Sequence, residues 1–206
     1  PTSSKTPKPE AAIPPAGTPT PLPGAVRFDP MADTVLDQWA PDTSAMVADK
    51  LQVRQGDIKV PLLAFDVSAI PQDAQIEKAI LSLYIVSRSN TGEMNLTAHK
   101  LLRAWNAAEA NWTIARKGQP WAVAGCKDPQ QDRSSVAVAK ALLRLDKVWY
   151  DLDLTALLRD WVNNGSLNAG LLLAGSGTPS VQYDIASMEY YDKNVRPRLW
   201  VVYQQP

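Results

Sequence analysis

Leu62-Leu63-Ala64-Phe65-Asp66-Val67 carries Leu63, Phe65 and Val67 at a spacing of two. That spacing puts alternate side chains on one face of an extended strand. Working outward, Ala79-Ile80-Leu81-Ser82-Leu83-Tyr84-Ile85 repeats the pattern, with Ala79, Leu81, Leu83 and Ile85 on one face and Ser82 and Tyr84 opposite. Leu96-Thr97-Ala98-His99-Lys100, Val148-Trp149-Tyr150-Asp151-Leu152, Gly170-Leu171-Leu172-Leu173-Ala174 and Leu199-Trp200-Val201-Val202-Tyr203 read as further strands. Pro71, Pro120 and Pro179, with Gly and Asp nearby, break the runs. Strands do not alternate with helices along the chain, so the pattern predicts an all-β, antiparallel, jelly-roll-like β-sandwich.

One segment departs from period two. Leu154, Leu157, Leu158, Trp161 and Val162 recur at i, i+3, i+4, i+7 and i+8, which predicts one short amphipathic helix. Asp153 is placed to cap its start, and Asn163-Asn164-Gly165 supplies a left-handed stop. The apolar stripe has no basic face beside it, so it faces a core and not a membrane.

Proline divides the chain. Of 17 prolines, 8 lie in the first 24 residues, where Ile13 and Leu22 are the large apolar side chains. Such a segment buries too little to offset its ordering entropy and is expected to be extended, like polyproline II. The boundaries are therefore residues 1–24 for a Pro/Thr/Ser-rich tail or linker and 25–206 for the folded domain. At ~3.1 Å per residue the tail spans roughly 75 Å. A body of this size is only about 40 Å across. A chain opening on Pro1 without a signal peptide is expected to derive from a longer precursor.

Composition removes most function classes. With 21 basic and 21 acidic residues the formal charge is zero, which lacks the basic footprint of a nucleic-acid binder. No apolar run approaches the ~20 residues of a membrane span. One His and one Cys leave no zinc cluster, no internal disulfide and no Cys/His nucleophile. Cys126 reads as a small loop residue, with an intermolecular disulfide as the alternative. No G-x-S-x-G elbow is present, and Gly175-Ser176-Gly177 lacks the Lys of a phosphate cradle. Asp66, Asp151, Asp153 and Glu189 show no spacing that makes a glycosidase pair, so no catalytic residue is expected. No cofactor is expected either, although those oxygens leave calcium as the one metal to consider.

Seven tryptophans stand against two phenylalanines. Trp105, Trp112, Trp149, Trp161 and Trp200 sit in apolar periodic stretches and read as core. Trp39, Trp121, Tyr190 and Tyr191 lie in polar, loop-like surroundings. With Arg88 they are candidates for a glycan-stacking surface or for anchors at a protein interface.

Taken in order, these landmarks resemble the DNRLRE-domain extracellular β-sandwich modules. The similarity runs over about residues 26–203. It includes Ala32-Asp33-Thr34-Val35, the segment from Leu62 to Pro71, Ile76 through Tyr84, and the paired Trp105 and Trp112. It continues in Asp151-Leu152-Asp153-Leu154-Thr155, Asn168-Ala169-Gly170-Leu171-Leu172, and Ala186 to Glu189 with Arg196 to Leu199. Asn111 and Ala64 depart from the family pattern. The resemblance implies a secreted or cell-surface module without catalysis, and in some relatives polysaccharide binding.

Two expectations follow. The first is a structural or adhesive subunit of an extracellular filament, matrix or surface assembly. It self-associates as its tail docks on a neighbouring copy through Ile13, Pro14, Pro15, Leu22 and Pro23. The alternative is a polysaccharide-binding module with the tail as linker.

Overall fold

Residues 22–205 are described by the computed structural model. In chain order they form β1 (Val26–Phe28), β2 (Pro30–Asp37), β3 (Lys50–Arg54), β4 (Lys59–Phe65), β5 (Gln75–Arg88), β6 (Met94–Lys100) and β7 (Ile114–Arg116). There follow β8 (Gln119–Pro120), β9 (Ala139–Leu143), β10 (Val148–Asp153), α1 (Thr155–Val162), β11 (Leu171–Gly177), β12 (Gln182–Ala186) and β13 (Arg198–Gln204). The expected strands and the single helix are all present. Ile13, Pro14 and Pro15 lie outside the described residues.

Eleven strands join in one antiparallel sheet, ordered β1-β13-β5-β12-β3-β4-β11-β6-β9, with β10 beside β5 and β2 beside β4. The 14-residue β5 organises it: β13 pairs with its first part, β12 with its last, and β10 with Ile80 to Ile85. The sheet curls around a core containing Leu63, Phe65, Leu81, Leu83, Ile85, Leu171, Leu173, Tyr183 and Leu199. Each such fully buried leucine contributes about 1.5–3 kcal/mol of transfer free energy.

A second, smaller core forms on the outer face of β4 and β11, where Val60, Leu62 and Leu172 meet Leu101, Trp112, Trp121 and Cys126. The cover is the long excursion between β6 and β9. Residues 62–63 and 171–173 therefore read as unbroken apolar runs because both their faces are buried. Backbone proximity is tight here: Gly170 has φ +84°, and a Cβ on it would sit 2.2 Å from the Leu63 carbonyl oxygen.

Helix α1 lays Leu157, Leu158, Trp161 and Val162 into the main core. The Arg159 guanidinium donates to the Ile76 carbonyl at 2.7 and 2.9 Å, tying the helix to β5. Leu154, not Asp153, occupies the N-cap. Asp153 sits one residue earlier, where its Oδ1 accepts the Thr155 N–H at 3.0 Å and Oδ2 pairs with Lys78 at 2.7 Å. The expected stop is present, with Gly165 at φ +62°. Among the described residues no helix is long and apolar enough to cross a membrane.

Candidate functional site

The exposed aromatic that the fold presents with polar company is Trp39. It follows β2, whose last residue, Asp37, accepts the Trp39 N–H at 2.9 Å and so fixes the turn. β3 alternates, burying Leu51 and Val53 and turning Lys50, Gln52 and Arg54 outward. The Arg54 guanidinium carbon lies 4.7 Å from the Trp39 ring centroid, and the Lys59 ammonium nitrogen 5.6 Å from it. Lys59 is itself held by Asp37 at 2.9 Å and by Gln52 Oε1 at 2.6 Å. Among the described residues Arg54 Nε has no hydrogen-bond partner. The indole remains 62% exposed. Asp37 and Gln52, which hold Lys59, also line a cavity of about 270 Å³ whose other polar residues are Asp49, Lys50 and Asp184. An amphipathic ring braced by two cations, next to carboxylate, amide and amine groups, can stack on an apolar sugar face and hydrogen-bond its hydroxyls.

The other sequence candidates scatter. Tyr191 is 81% exposed and stacks on Tyr190 at 4.5 Å between centroids, but Tyr190 itself is buried. Trp121 is only 4% exposed and cannot be a platform. The β7–β8 hairpin folds it into the second core, and its Nε1 donates to the Asn111 carbonyl at 2.9 Å. Arg88 is engaged in the scaffold: its Nη1 donates to the Arg144 carbonyl and its Nε pairs with Asp146 at 3.5 Å. Leu22 is half-buried and Pro23 exposed, in a turn closed by the Ala25 N–H on the Leu22 carbonyl at 3.0 Å.

The four carboxylates considered for calcium do not converge. Asp66 caps Ser68, Asp151 accepts the Ser82 hydroxyl at 2.6 Å, and Asp153 serves the helix start. Asp66, bonded by the Ser68 side chain and N–H, is held below the usual carboxylate range. Among the described residues no three or more His, Cys, Asp or Glu gather as a metal group. His99 packs at the sheet, its Nδ1 on the Ser134 carbonyl at 2.8 Å, and burial lowers its pKa. Cys126 is fully buried, and burial pushes its thiol far up, so no surface thiol is offered for a bridge between copies.

Two features escaped the sequence reading. Asp132 is completely buried, and its carboxylate accepts the N–H groups of Ala122, Val123 and Asp128 at 3.0–3.2 Å, with Arg103 at 3.2 Å. It organises the cover of the second core. Asp33 on β2, buried, and Glu189 after β12, half-buried, come together as a pair of carboxyl groups. Desolvation, reinforced by Glu189, raises Asp33 to about 7. Neither lies in a spaced motif; both are isolated acids within otherwise apolar or mixed runs.

Compared with known proteins, residues 33–201 match the family described as the disaggregatase related repeat domain. This is a different family from the DNRLRE modules, and what stands of that resemblance is the β-rich module itself. No curated protein matches the chain.

Proposed function

Because the chain belongs to the disaggregatase related repeat family, we propose that it is a non-catalytic, extracellular adhesive module that holds matrix or cell-surface polysaccharide through the Trp39 face. The observation that carries this reading is the exposed indole braced by Arg54 beside the Asp37, Gln52 and Asp184 cavity. The separate structural roles of Asp66, Asp151 and Asp153 and the burial of the Cys126 thiol support a binding role over a catalytic one.

Affinity electrophoresis of the full chain through gels containing neutral and acidic polysaccharides tests the proposal. At least one polysaccharide is expected to retard the wild type. Trp39→Ala is expected to lose roughly tenfold to a hundredfold in affinity while its melting temperature holds, the range for truncating an aromatic anchor. Unretarded migration in every gel defeats the reading, and so does retardation that Trp39→Ala leaves intact.

A second reading, assembly of copies into a filament or surface layer, is favoured by the leading segment. Eight of the 17 prolines fall in the chain's first 24 residues. Proline at this density has less conformational entropy to lose on docking. Removing residues 1–24, the docking residues Leu22 and Pro23 included, is expected to leave a folded monomer and abolish assemblies seen by sedimentation and negative-stain microscopy. Unchanged assembly after that truncation rules this second reading out.

A further inference from the structure

Arg198 on β13 is a cation that the fold buries without a counterion. It is 6% exposed, and among the described residues its Nε has no hydrogen-bond partner. Nor does any carboxylate there form an ion pair with it. Its guanidinium carbon lies 4.8 Å from the Trp149 ring centroid, a contact that attracts the charge without neutralising it. Burial and the neighbouring Arg27 both lower its pKa, while Asp29 and Asp192 oppose them. A buried charge is costly unless one of opposite sign reaches it.

The groups in front of Arg198 show the same excess. Pairing of Val26 with Val201 and of Phe28 with Leu199 brings Arg27 and Asp29 alongside it. Both line a cleft of about 170 Å³, with Pro30, Met188, Lys193 and Arg196. Three cations thus face one carboxylate, and that carboxylate is engaged: Asp29 accepts Arg27 Nε at 2.7 Å. Asp192 nearby accepts the Asn194 N–H at 2.9 Å. Arg196 gives its Nε to the Tyr190 carbonyl at 2.8 Å, and its charge is felt at Asp33. Lys193 is exposed and forms no ion pair among the described residues.

Such a cleft suits an anion. At about 30 Å³ per water it has room for a carboxylate or sulfate group with a few waters. Arginine offers paired N–H donors to a group of that shape, and lysine adds a point charge. Tyr191, two residues before Lys193 and 81% exposed, presents a ring on which a sugar bearing that group can stack. We infer that the Arg27, Lys193 and Arg196 cleft binds the anionic group, carboxylate or sulfate ester, of an acidic polysaccharide. The inference rests on the polysaccharide-binding reading above and names the charge of its ligand. Pro30 at the cleft and Asp37, which fixes Trp39, are the two ends of β2, so roughly 24 Å of strand separates the two contacts. Substitutions that far apart act independently.

Affinity electrophoresis of the full chain through gels containing polygalacturonate, dextran sulfate or neutral dextran tests this. The anionic gels are expected to retard the wild type more than neutral dextran does, and the stronger of the two distinguishes a carboxylate from a sulfate ester. Lys193→Glu is expected to weaken that retardation at least tenfold. Lys140→Glu, the same change of charge on the exposed face of β9, is expected to leave it intact. Melting curves show separately that both variants stay folded. Equal retardation in neutral and anionic gels overturns the inference and leaves the Trp39 reading standing. Anionic retardation that Lys193→Glu leaves unchanged, or that Lys140→Glu reduces as much, overturns it too. Anionic retardation that Lys193→Glu removes and Trp39→Ala does not upholds the cleft and defeats the Trp39 reading. Unretarded migration in all three gels overturns the inference.

Discussion

Asp33→Asn is expected to be more stable than the wild type at pH 8, by up to about 4 kcal/mol, and close to it at pH 4. The sign follows from the direction of the shift. Burial raises the folded-state pKa of Asp33 from 3.8 to about 7, with Glu189 adding to it and the Met188 N–H and Arg196 opposing. Between those values the folded protein binds more protons than the unfolded chain, so stability falls as pH rises. The contribution is fully present below about pH 4, is lost progressively up to about pH 7, and is constant above. Asparagine preserves the geometry: its Oδ1 can accept the Met188 N–H, and its amide can donate to Glu189 at any pH, as the Asp33 carboxyl does only when protonated. Urea denaturation of both proteins from pH 4 to pH 8 gives the difference curve directly. Subtraction cancels opposing groups such as Asp153, whose hydrogen bonds and pairing with Lys78 hold it down near 2 against its partial burial. A flat difference curve would contradict the buried pair.

Asp132→Ala is expected to cost about 3–5 kcal/mol, because it removes a buried charged acceptor serving several donors at once. Three backbone N–H groups and Arg103 lose their partner together. The segment they organise is the cover of the second core, in which the Gly125 backbone lies against the Trp112 ring and Cys126 adopts φ +58°. The damage should therefore be local before it is global. Cys126, buried in the wild type, is expected to react with a thiol reagent under native conditions in the variant. Asp132→Asn, keeping one carbonyl acceptor, should fall between the two. A loss below 1 kcal/mol with Cys126 still protected would show that the cover stands without Asp132.

The strands from Leu62, Ala79, Val148, Leu171 and Leu199, and the helix from Thr155 to Val162, were legible because period two and period 3.6 are local properties of a chain. The same local reading found Trp39 exposed, since Asp37, Gln38 and the turn that follows advertise solvent. It misplaced Trp121 and Tyr190 because polar neighbours along the chain say nothing about what folds over them. A two-residue strand at Gln119–Pro120 and its hairpin partner carry Trp121 into a core built by residues some sixty positions earlier and fifty later. Arg88 likewise looked free for a ligand, and only the approach of the Arg144–Asp146 turn engages it.

Sequence by itself therefore determined the all-β class, the helix from Thr155 to Val162 and the proline-rich lead, because each rests on composition or on neighbours a few residues apart. Tertiary structure alone decided that Trp121 and Tyr190 are covered, that Asp132 holds the outer core together, and that Asp33 meets Glu189. Those outcomes depend on burial and on contacts between strands distant in the chain, where the energy of a carboxylate is set by what surrounds it and not by what precedes it.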